Sequence, residues 1–193
     1  MAAAPYRPDN DVTFDLAHGL VHLDGAPTRV LLPADGLGPL LASAGEEAVT
    51  TLGRVTGRAM GLRIAERLRP EGARASSMEG MVSHLGAELA LAGLGSLSIE
   101  RWGHALVIVV DHCPLAAGGD ALLEAILSEA VGVAAERRVS AVHMARDGAR
   151  ARFLLTNGSA ADRARQWLRT GATWGEVLSR LHSPPPAEGS QPS

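Results

Sequence analysis

Gly53, Gly57 and Gly61 recur at intervals of four inside a stretch, Glu46 to Leu68, that otherwise reads as one long helix stopped by Pro70. That interval places all three on one helix face. Each interior glycine costs about 1 kcal/mol against alanine. Keeping three of them makes sense where another backbone lies against the smooth face and its packing offsets the cost. Paired helices in membranes use this geometry, but Arg54, Arg58, Arg63 and Arg67 keep this helix out of lipid. The fold must therefore contain a close-packed helix contact, either within the chain or between subunits.

Around this helix the pattern alternates hairpins and helices. Leu20, Val21 and Leu23 precede Asp24-Gly25, and Val30 to Leu32 follow, which predicts an early hairpin. Asp35 is placed to cap a short helix through Leu40 and Leu41. Ser76-Ser77-Met78-Glu79 fits a capping box for a helix with Met81, Val82, Leu85, Leu89 and Ala92 at helical spacing, ended by Gly93-Leu94-Gly95. Ser96 to Glu100 alternates as a strand. Ala105 to Val110 is apolar on both faces and reads as a central strand. A helix capped by Asp120 buries Leu123, Ile126, Leu127, Ala130 and Val131. A second hairpin pairs Val139–Ala145 with Arg150–Thr156. Helices follow from Ala160 to Arg169 and from a capping box at Thr173–Glu176. Hairpin-paired strands with grouped helices predict an α+β fold, an antiparallel sheet flanked by helices. Its 193 residues suit one domain, 11–182, between an N-terminal arm, 1–10, and a Pro/Ser-rich tail, 183–193.

Composition narrows the chemistry. There is no lysine: all 18 basic residues are arginine. Schiff-base catalysis and a P-loop lysine are excluded outright. Codon bias accounts for the arginine, since Ala and Gly are also abundant and Asn is scarce. Net charge is −3 and aromatics are 3%, which argues against nucleic-acid binding. The charge is unevenly spread. Eight arginines between Glu136 and Thr170 face only Glu136, Asp147 and Asp162, giving that stretch +5 and the remainder −8. Arg150 and Arg152 share a strand face and are candidate partner-binding residues; a merely solvated face explains them equally. The start has no secretory pattern and no apolar run is long enough for a membrane span, so the expected location is cytoplasmic.

No catalytic motif is present, and the protein is expected to be non-catalytic, without metal or cofactor. His104, Asp111, His112, Cys113 and His143 are the nearest approach to a reactive or metal-ligating cluster. Adjacent His112 and Cys113 point to opposite sides of an extended chain, which suits neither a zinc site nor a thiol–imidazole pair. The lone Cys113 reads as an inert, half-buried thiol.

The segment Gly57-Arg58-Ala59-Met60-Gly61-Leu62-Arg63-Ile64 resembles the Gly-Arg-x-Met-Gly-x-Arg-Ile stretch of the bacterial cellulose synthase D-subunit family. The helix ending Leu91-Ala92-Gly93-Leu94-Gly95, the two strands leading to Asp111-His112-Cys113-Pro114, and Leu122 to Gly132 follow in that family's order. The likeness spans Thr51 to Ala134. It implies a non-catalytic homo-oligomeric protein of cellulose biosynthesis, dimers assembling into an octameric ring. Such a ring organises synthase complexes or guides glucan chains during export. Other cellulose synthase components and a glucan chain are the implied partners. Gly53, Gly57, Met60, Gly61 and Ile64 would then form an interface between subunits.

The order of elements also resembles the 4-vinyl reductase-like domain family, which implies a dimeric module sensing a small apolar ligand. The second-half cysteines of many such domains are missing here. A third reading is an enzyme, or an enzyme accessory, acting on a hydrophobic substrate around Asp111, His112 and Cys113.

Overall fold

The computed structural model describes residues 11–68, 78–103 and 105–182. The expected arm and tail, Pro70, Ser76, Ser77 and His104 lie outside the described residues.

The chain opens with β1 (Val12–Asp15), β2 (Leu20–Leu23) and β3 (Ala26–Arg29), a small antiparallel meander. Asp24 and Gly25 make the β2–β3 turn with φ of 53° and 77°. Positive φ at both positions matches the right-handed strand twist. The return strand is shorter than expected, because Val30, Leu31 and Leu32 fall beyond β3 and are 77%, 71% and 64% exposed. Apolar character alone suggested a strand there. β1 carried too short a pattern to be recognised.

Helices α1 (Ala34–Ser43), α2 (Glu46–Leu68) and α3 (Met78–Leu91) follow. Pro33, not Asp35, occupies the N-cap of α1, and no side chain caps it. Asp35 sits in the first turn, where its charge still suits the helix dipole.

The main sheet has the order β4-β5-β7-β6, antiparallel throughout: β4 is Ser96–Trp102, β5 Ala105–Asp111, β6 Ser140–Asp147 and β7 Arg150–Thr156. Both faces are covered. Ile108, Val110, Ala141, Ala151 and Phe153 point into a core shared with α2, α3 and α4 (Asp120–Ala134). Val107, Val109, Val142, Met144 and Leu154 point to the other side, against α5 (Gly158–Arg169) and α6 (Trp174–His182). The continuous apolar run of β5 thus follows from burial on two faces. The fold is α+β, with the antiparallel sheet between helical layers.

Where α3 ends and β4 begins, Gly95 has φ of 104°, and a Cβ there would meet the Asp111 carbonyl at 2.2 Å. Only glycine lets β4 start so close to the end of β5. α4 also departs from expectation at its cap. Gly119 is the N-cap, and the Asp120 carboxylate instead accepts from Arg146, whose Nε lies 2.9 Å from Oδ1 and 3.2 Å from Oδ2 and whose Nη2 also donates to Oδ1. α5 begins at Gly158 because the Asn157 side chain accepts from Ala160 N at 3.0 Å. The Thr173–Glu176 capping box forms as the sequence predicts: Thr173 N donates to Glu176 Oε2 at 2.7 Å and Glu176 N to Thr173 Oγ1 at 3.3 Å.

Candidate functional site

The glycine face of α2 is filled from within the chain. A Cβ on Gly53 would meet Ala125 Cβ at 2.5 Å, one on Gly57 the Ile126 carbonyl at 2.5 Å, and one on Gly61 the Ala130 carbonyl at 2.7 Å. All three contacts belong to α4, which lies between α2 and the sheet. Met60 and Ile64, on the same helix, are buried in the core. The surface that the cellulose-family likeness assigned to a contact between subunits is therefore occupied by the chain itself. Of the two partners open to the glycine ladder, the intrachain one is present.

The basic stretch is likewise largely answered internally. Arg146 pairs with Asp120, Arg150 with Asp111 at 2.8 Å, and Arg165 with Glu124 at 2.9 Å. Arg152 lies 3.5 Å from Glu100 and 5.3 Å from the Trp174 ring centroid. Arg150 thus ties β7 to the end of β5, and Arg152 reaches across β5 to β4 and lies over Trp174 of α6. Hydrogen bonding from Arg150 keeps the Asp111 carboxyl below its usual range. Arg137, Arg138, Arg163 and Arg169 carry no ion pair among the described residues.

The His/Cys cluster does not converge. Cys113 is buried in the core, more deeply than its place at a strand end suggested. His112 is exposed at φ of 62° and among the described residues reaches only Ser96 Oγ, at 3.5 Å. His143 lies elsewhere, its Nε2 3.4 Å from Asp120 Oδ2. Among the described residues no three His, Cys, Asp or Glu side chains are grouped to hold a metal ion. Asp111, His112 and Cys113 do not line the cavity described next.

That cavity, about 470 Å³, opens between α3, the sheet and the end of α4. Its wall is apolar. Met81, Val82 and Leu85 come from one face of α3, Leu106 and Ile108 from β5, Val131 from α4, and Val139 and Leu155 from the edges of β6 and β7. Leu85 and Ile108, almost wholly buried, form its inner part. Arg137, Arg138, Thr156 and Asn157 supply its only polar lining among the described residues. The volume falls within the range of pockets for small organic molecules, about 300–1,000 Å³. The sequence marks Met81, Val82 and Leu85 as a buried stripe, but it cannot show that the stripe stands off the sheet.

A buried charge cluster ties α3 to α2. Glu88, with a side chain closed to solvent, accepts from Arg63 Nε at 3.1 Å and Arg67 Nη1 at 3.1 Å. Arg67 also reaches Asp11 at 2.6 Å and Asp24 at 3.2 Å, tying α2 and α3 to the N-terminal meander. Burial and the nearby Arg63 lower the pKa of Arg29 at the end of β3.

The fold and cavity define the class of this molecule: a layered α+β module with a small apolar chamber beside its sheet. No protein-family model matches the chain, and no curated protein does. Among solved structures, its fold is similar to the phenol-responsive sensory domain of the transcription activator PoxR, crystallised with phenol. The TM-score is 0.57 at 15% identity, over 92% of this chain and 94% of that one.

Proposed function

We propose that this protein is a binding module that takes a small, mainly apolar molecule into the chamber beneath α3, in keeping with the ligand-sensing reading of the sequence. The chamber carries the proposal: apolar side chains from four elements line a ligand-sized hollow, and its few polar groups gather on the α4–β6 loop and the end of β7. Such a site binds by removing apolar ligand surface from water, about 25 cal/mol per Å². The similarity in fold to a domain described as phenol-responsive supports this reading.

The test is thermal unfolding with phenol, indole and 1-octanol, repeated on Val82→Trp, which places a bulky ring in the chamber. A ligand at a hundred times its Kd adds about 2.7 kcal/mol, a rise of roughly 5–10 °C for a chain of this size. The rise should vanish in Val82→Trp while the unliganded melting temperature stays within a few degrees. No rise with any of the three would overturn the proposal. Native mass spectrometry addresses the cellulose-assembly reading: an octamer would favour it instead.

A further inference from the structure

From the lining of this chamber we infer that its ligand carries an anionic group, a carboxylate or its chemical equivalent, on an apolar body. The inference rests on the binding reading above and specifies its substrate class. The polar lining residues gather at one end: Arg137, Arg138, Thr156 and Asn157, which carry two permanently charged guanidiniums, a hydroxyl and an amide. No carboxylate is among the described lining residues. Arg146, Arg150, Arg152 and Arg165 in the same basic stretch each have an acidic partner. Among the described residues Arg137 and Arg138 have none, and of the four arginines in the stretch without one, only these two line the chamber.

The Asn157 carbonyl oxygen is already engaged, accepting from Ala160 N and Ser159 Oγ at 3.0 Å each. That leaves its amide group as a donor. The loop presenting the arginines is fixed. Glu136 has φ of 51°, and Arg137 N donates to the Gly132 carbonyl at 3.1 Å, which anchors the turn to the end of α4. A guanidinium offers a planar, permanently charged fork that matches a carboxylate with two parallel hydrogen bonds. An apolar wall with a cationic rim therefore fits an amphipathic anion, such as a medium-chain or aryl-alkyl acid, with its head at the loop and its body against Leu85 and Ile108.

Octanoate and 1-octanol, equal in length and differing in charge, form the test by calorimetric titration into the full chain. Octanoate should bind at least tenfold more tightly than 1-octanol, with an affinity that weakens as salt is raised. In the double variant Arg137→Gln, Arg138→Gln the gap should collapse, while 1-octanol binding stays unchanged. Both arginines are exposed, so the variant keeps its core. Equal affinity for the two probes, or a gap that survives the double substitution, overturns the anionic head and leaves the apolar site standing. If neither probe binds, the anionic head is overturned, and the apolar site then stands or falls on phenol and indole.

Discussion

At the scale of single residues, the largest consequences follow from atoms that are missing. Adding a methyl group at Gly57 gains about 1 kcal/mol of helix propensity but drives a carbon to 2.5 Å from the Ile126 carbonyl, a backbone atom that cannot rotate away. Overpacking of this kind costs about 1–3 kcal/mol. Gly57→Ala is therefore expected to lower stability in urea denaturation, by up to about 2 kcal/mol net of the propensity gain; a stabilised variant would contradict the contact with α4. Glu88 presents the opposite case, a charge whose removal strands its partners. Glu88→Ala leaves the largely buried Arg63 without its carboxylate, while Arg67 keeps Asp11 and Asp24. A loss of about 3–5 kcal/mol should appear in the same assay. The glycine spacing announced the close approach; Glu88 was not legible, because its partners lie 21 and 25 residues away and a lone acid in a helix normally faces water.

At the scale of elements, the sequence was most informative where one local rule decided the outcome. The Thr173–Glu176 box opens α6 because its two residues satisfy each other's backbone groups. Thr173→Ala should cost about 1 kcal/mol, measured by thermal unfolding. It was least informative where a side chain had a better offer from a distance. Asp120 gives up its cap to pair with Arg146, 26 residues later, and that pairing in turn raises the pKa of Arg146. Asp111, at the end of β5, provides a pH signature. Its carboxyl is depressed by Arg150, so its contribution is complete above the unfolded value, near pH 4, and is lost as pH falls through the lower folded value. Melting temperature should fall between about pH 5 and pH 2, and Asp111→Asn should flatten part of that fall.

At the scale of the whole molecule, the antiparallel α+β architecture was readable because each hairpin is local. The chamber was not, because five separated segments build it and its volume depends on where α3 stands relative to the sheet. The same holds for charge. The basic late stretch looked like a docking face, yet much of it faces acids contributed by β4, β5 and α4 of its own chain. The position of α4 has one more consequence. With α2 seated on one side and the sheet on the other, Ala121 is its sole solvent-exposed residue. No partial opening can free α4 without displacing both layers. Its backbone amides should therefore be the slowest in the protein to exchange with deuterated water, at rates that track global unfolding, while the amides of the N-terminal meander exchange much earlier.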